Sequence, residues 1–116
     1  MVEAFLAAAR DGDFEALLTV LDPQVVLHAD RAAGPTPEPV VLRGAHAVAK
    51  GARIASERAR LARLALVNGT VGVVMAPRGK LFLAMDFTIT DDTVTRIDII
   101  ADPDRLHDLD LAVFDA

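Results

Sequence analysis

The stretch Ile97-Asp98-Ile99-Ile100-Ala101-Asp102-Pro103-Asp104-Arg105-Leu106 decides how this chain is read. Its β-branched run belongs to a strand, because side chains branched at Cβ pack well on a pleated surface and lose rotamer freedom in a helix. The run ends at Asp102, and Pro103 follows with a fixed φ and no N–H, which suits the first position of a helix. One strand therefore turns sharply into a short closing helix.

Working back from that turn, residues 71–76, 81–90 and 93–101 read as strands joined by Pro77-Arg78-Gly79-Lys80 and Asp91-Asp92. Asn68-Gly69 precedes them, the strongest short hairpin signal, and it needs a strand on each side. Residues 59–66 carry a conflict: Arg, Leu and Ala favour a helix, while Leu61, Arg63, Ala65 and Val67 alternate as a strand does. The hairpin signal decides for the strand, and the four strands form an antiparallel meander.

At the other end, Val2, Phe5, Leu6 and Ala9 share one helical face and Gly12 supplies a left-handed stop. Asp13 is placed to cap a second helix, in which Phe14, Leu17, Leu18 and Leu21 repeat the spacing until Pro23 forbids continuation. Residues 24–29 alternate as a strand, with Val25, Leu27 and Ala29 set against Val26, His28 and Asp30. Gly34, Pro35, Pro37 and Pro39 make residues 32–39 a loop, and after Arg43-Gly44 an alanine-rich helix carries Ala45, Val48, Ala49 and Ala52 as a narrow seam. Two helices, a strand, a helix, four strands and a closing helix give an α+β class, with helices on one face of a curved sheet.

Composition bounds the function. A chain of 116 residues that is 53% hydrophobic and 25% charged is expected to form one globular domain over 1–116. No cysteine is present, which removes disulfides, thiolate nucleophiles and thiolate metal sites. Without an apolar run of about 20 residues, a soluble, cytoplasmic protein is expected. Seventeen acidic residues against twelve basic give a net charge of −5, the wrong sign for a domain that grips nucleic acid by itself. Five phenylalanines are the only aromatic residues, so a pocket has no phenol donor.

Several polar residues are candidates for chemistry. His28 and Asp30 lie on one side of a strand, about 7 Å apart by strand rise, where they either share a proton with a ligand or simply end the strand at its solvent edge. Asp86 is flanked by Met85 and Phe87, in a strand where Phe82, Ala84, Asp86 and Thr88 share a face. A carboxylate among apolar neighbours has a raised pKa and can serve as acid, base or hydrogen-bond donor. Asp98 has Arg96 two residues away on its own face, a simple structural ion pair. Ketone chemistry needs donors for a developing oxyanion. With Ser56 and Asn68 the sole residues of their kinds and no Tyr, that side is thin. His28, His46 and His107 are far apart in sequence, and Asp102, Asp104, Asp108 and Asp110 lack a glycine-centred calcium pattern, so neither metal nor cofactor is expected. Arg53, Arg58, Arg60 and Arg63 form a loose basic cluster of the kind that usually solvates a face.

Phe5-Leu6-Ala7-Ala8-Ala9-Arg10-Asp11-Gly12-Asp13, Leu21-Asp22-Pro23, Leu66-Val67-Asn68-Gly69 and Asp102-Pro103-Asp104-Arg105-Leu106 together make the chain resemble a SnoaL-like domain, the cone shared with ketosteroid isomerase and nuclear transport factor. More narrowly, it is similar to the C-terminal extension of extracytoplasmic-function RNA polymerase sigma factors. That resemblance implies helices packed on the concave face of a curved sheet, and a regulatory or ligand-sensing role exerted through contacts with the sigma core regions and RNA polymerase. It implies that Asp102, Pro103, Asp104, Arg105 and Leu106 lie at that contact. The glycine-rich basic motif of such sigma factors is replaced here by Asp30-Arg31-Ala32-Ala33-Gly34. The hollow is expected to be apolar, lined by Phe5, Val26, Phe82, Ala84 and Thr88, and to suit a small apolar ligand. Two other readings stand beside this one. The first is a free-standing isomerase or cyclase for a small apolar ketone, with Asp86, His28 and Asp30 as its catalytic set. The second is a module that forms homodimers through its sheet.

Overall fold

In the computed structural model, which describes residues 1–33 and 37–113, the chain opens on helix α1, Val2–Asp11. Gly12 stops it at φ 63°, where the Gly12 and Asp13 N–H groups donate to the carbonyls of Ala9 and Ala8 at 3.2 and 3.0 Å. Asp13 then caps α2, Phe14–Val20, its Oδ1 accepting from the Ala16 N–H at 3.1 Å. Strand β1, Leu21–Ala29, follows without a loop and runs through Pro23. A proline cannot donate to a ladder, and the pairing of β1 shifts register between Leu21 and Val26.

After the turn that follows β1 come β2, Val40–Arg43, α3, Ala45–Ile54, and the single turn α4, Ser56–Ala59. The expected loop 32–39 precedes β2, although its Gly34, Pro35 and Thr36 lie outside the described residues. The helix–strand conflict at residues 59–66 is divided between the two: helix holds through Ala59, and β3 spans Ala62–Val67. Asn68 and Gly69, at φ 51° and 86°, turn β3 into β4, Thr70–Met75. Strands β5, Leu83–Thr90, and β6, Thr93–Ile100, are joined through Asp91 and Asp92, both at positive φ. Helix α5, Pro103–His107, begins where the Asp102 side chain accepts from the Asp104 N–H at 2.9 Å, and β7, Leu111–Val113, ends the described chain.

The strands form one curved sheet in the order β2-β1-β6-β5-β4-β3-β7. The meander from β3 to β6 is antiparallel, as expected, while β1 lies parallel to β6. Strands β2 and β7 were not expected. Each is four residues or fewer, and the pattern of so short a segment carries no period of its own. Their regularity comes from docking on the free edges of β1 and β3.

The sheet buries both faces unequally. On the concave side α1, α2 and α3 pack over the largest core cluster, where Leu17, Val25, Val48 and Ile97 are fully enclosed. On the other side Ala65, Val67, Val74, Ala84 and Ile100 form a smaller cluster covered by Leu106 of α5. In β6 this alternation sends Ile97 inward and Ile100 outward, as the period of two in a strand requires.

Candidate functional site

A cavity of about 280 Å³ lies between the helices and the concave face of the sheet. Phe5 and Ala52 line it from the helices, and Leu27, Met75, Met85 and Ile99 from the strands. Phe5 is held edge-on against Phe87, with ring centroids 5.2 Å apart. Among the described residues that line it only Arg58, exposed on the turn α4, is ionisable. The corner after α4 is fastened by Arg10, whose guanidinium donates to the carbonyls of Ala59, at 3.2 Å, and Ala62. Phe82, 56% exposed, completes the rim.

Of the five residues expected to line the hollow, Phe5 and Phe82 do so, whereas Val26, Ala84 and Thr88 point to the opposite face of the sheet. The reason is local. Phe82 precedes β5, so its orientation does not follow the period-two order of that strand; Leu83 and Met85 turn into the cavity instead. One residue of register exchanges the two faces of a strand.

The same exchange moves the expected catalytic set outside. His28 pairs in register with Asp98, and Asp98 with Asp86, so the three form a row across β1, β6 and β5 on the outer face. None of these three can touch an occupant of the hollow, because the sheet stands between. Asp98 is held by Arg96 at 2.9 and 3.0 Å, the ion pair foreseen from their spacing. Burial, and then the charge of Asp98, push the Asp86 carboxyl above the usual range, with hydrogen bonds from Thr70 and the Phe87 backbone partly opposing.

Asp30 has a different task. Its Oδ2 accepts from the Ala101 and Asp102 N–H groups, each at 3.0 Å, and from Arg105 Nη1 at 3.3 Å, with its side chain only 9% exposed. Burial raises its pKa, but the Asp102 and Ala101 amides and the Arg105 charge outweigh that effect and hold it below the usual carboxylate range. Asp30 thus ties β1 to the start of α5. Its Oδ1 is buried without a hydrogen-bond partner among the described residues.

Around this tie lies an open groove of about 410 Å³ bordered by His28, Arg31, Arg96 and Asp98 as well as Asp30, Asp102 and Arg105. Two widely separated segments that the sequence singled out, Asp30-Arg31 and Asp102 to Leu106, therefore meet. Of the second segment Asp102 and Arg105 border the groove, Pro103, Asp104 and Arg105 are exposed, Asp102 is half-buried, and Leu106 faces the core. The place of Arg58 was not legible from its basic cluster: Arg53 stands over the Phe14 ring at 5.7 Å, Arg63 donates to carbonyls of Arg60 and Ala62, and of the four only Arg58 borders the cavity. Among the described residues no cluster of three or more His, Asp or Glu could hold a metal ion. Nor is any helix among them long and apolar enough to cross a membrane.

The chain has the cone-shaped NTF2-like, SnoaL-like α+β fold. Its geometry matches the extracytoplasmic function sigma factor SigJ of Mycobacterium tuberculosis with a TM-score of 0.72 and 25% identity, over 90% of this chain and 42% of that one. The chain therefore spans less than half of the SigJ structure it resembles. A provisionally named polyketide cyclase of Sinorhizobium meliloti aligns at a TM-score of 0.61 and 22% identity, over 85% of this chain and 92% of that one. An NTF2-like protein of unknown function from Cytophaga hutchinsonii aligns at 0.57 and 12%, over 92% and 91%. No family model matches the sequence, and no curated protein does.

Proposed function

We propose that residues 1–116 form one regulatory domain of an extracytoplasmic-function sigma factor, cytoplasmic and without catalysis of its own, that modulates transcription initiation through protein contacts and senses a small apolar ligand in its hollow. The observation that carries this reading is the likeness to SigJ over 90% of the chain. The direction of the carboxylates supports it, since Asp86 and Asp98 face away from the cavity. General acid–base catalysis requires the catalytic group within hydrogen-bond reach of the reacting atom, and a sheet stands between these groups and any bound ketone. The partner surface is the groove where Asp102 and Arg105 stand beside Arg31, together with the exposed Pro103 and Asp104 that lie between them in the chain. Leu106 anchors that segment from below.

The transcriptional part is tested by the coding sequence upstream of Met1. In-frame sigma-type helices are the expected result, and a stop codon directly upstream overturns it. In run-off transcription with the full factor, Asp104→Ala changes promoter output without altering the melting temperature, because its side chain is exposed. Unchanged output removes this segment from the contact. The non-catalytic part is tested by Asp86→Asn: loss of turnover on a ketone without unfolding would restore the cyclase or isomerase reading.

A further inference from the structure

We propose that the hollow binds an amphipathic monocarboxylate, a straight-chain fatty acid of medium length, with its tail among the aliphatic side chains and its carboxylate on Arg58 at the mouth. This rests on the reading that the hollow holds a ligand, and it names the chemistry of that ligand. The volume, about 280 Å³, leaves room for about nine heavy-atom groups at ~30 Å³ apiece. That matches the tail of a ten-carbon acid. An aliphatic lining offers such a tail no hydrogen bond to satisfy and gives water none in return, so apolar contents are favoured over water.

The head group follows from charge. Among the described residues Arg58 is the sole ionisable one at the cavity, it is exposed, and none of them pairs with its guanidinium. No carboxylate among the described residues lines the cavity, so a cationic head group meets repulsion from Arg58 with none of them to offset it. A guanidinium accepts a carboxylate through two parallel N–H donors, and at the mouth the carboxylate keeps its remaining hydration. Arg10 keeps this arrangement in place by fixing the carbonyls of Ala59, next after Arg58, and of Ala62.

The test is competition for the cavity by decanoic acid, 1-decanol and decyltrimethylammonium, read by displacement of a fluorescent fatty-acid probe. The chain has no Trp or Tyr to obscure the signal. Decanoic acid should bind about fivefold more tightly than decanol at low salt, the upper range for an exposed ion pair, and the cation most weakly. Arg58→Gln should bring acid and alcohol to within twofold of each other, while Arg58→Lys keeps most of the preference. Equal binding of acid and alcohol by the wild type, or a preference that survives in Arg58→Gln, overturns the proposal and leaves ligand sensing intact. Failure of both to bind overturns the proposal and ligand sensing together. Far-UV circular dichroism of the exposed-site variants guards against unfolding.

Discussion

Replacing Asp30 tests whether the tie between β1 and α5 is energetic rather than incidental. Asp30→Ala strands the Ala101 and Asp102 N–H groups, which lose acceptors at 3.0 Å, and releases Arg105. Hydrogen bonds to a charged acceptor contribute about 1.5–3 kcal/mol each, and water entering the half-open groove recovers part of that loss. The pair with exposed Arg105 adds at most about 1 kcal/mol. Together these give a loss of about 3 kcal/mol, or a fall of about 12 °C in melting temperature for a domain of this size. Asp30→Asn keeps one oxygen for both amides but lacks the charge, and its NH2 falls where Oδ1 has no partner among the described residues, so it costs about 1 kcal/mol. Urea titrations followed by circular dichroism measure both. Because the native pKa of Asp30 lies below its ordinary value of 3.8, its charge stabilises the fold above that pH, and the contribution is lost as pH falls through the native pKa. The margin of the wild type over Asp30→Asn is therefore full at pH 7 and shrinks below about pH 4. A loss under about 1 kcal/mol for Asp30→Ala, or equal losses for Ala and Asn, would refute the argument.

Asp86 has the opposite sign. Its raised pKa means that its charge opposes folding above the ordinary value of 3.8, so Asp86→Asn should gain about 0.5 kcal/mol at pH 7, a figure kept small by solvent screening, and gain nothing below pH 3.8. Thermal melts at the two pH values measure this difference. Gly72→Ala should cost about 3 kcal/mol or prevent folding. An added Cβ falls 2.8 Å from Val67 Cγ2 and against the Met85 carbonyl oxygen. Soluble yield and urea midpoint report the outcome. Arg10→Met removes donors from two carbonyls and should cost about 2 kcal/mol. Hydrogen exchange at residues 59–62 should accelerate more than exchange in β5.

The helices, the meander and the closing turn were legible because each rests on local chemistry: Gly12 and Asp13 at the helix junction, Asn68-Gly69 at the hairpin, Asp102-Pro103 before α5. Strands β2 and β7 were not, since both owe their shape to neighbours distant in sequence. The orientation of β5 was misjudged for a related reason. Phe82, Ala84, Asp86 and Thr88 follow one period, but nothing local shows that the strand begins only at Leu83, and that single residue decides which side meets the hollow. Asp30 is instructive as well. Its spacing from His28 suggested chemistry, whereas its partners, Ala101, Asp102 and Arg105, come from the far end of the chain.

The parallel alignment of β1 with β6 also governs the order in which this protein can be assembled. It unites residues 21–29 with residues 94–99, so until β6 has been synthesised the N-terminal helices and first strand have only the short β2 beside them and lack the rest of the sheet. Loop closure of that span must precede any reward from the contacts it makes, which favours early zippering of the β3–β6 hairpins and late capture of the N-terminal half. A nascent chain stopped short of β6 exposes the apolar faces of α1 and β1 together, which makes this interval of translation the one most open to aggregation and to chaperones.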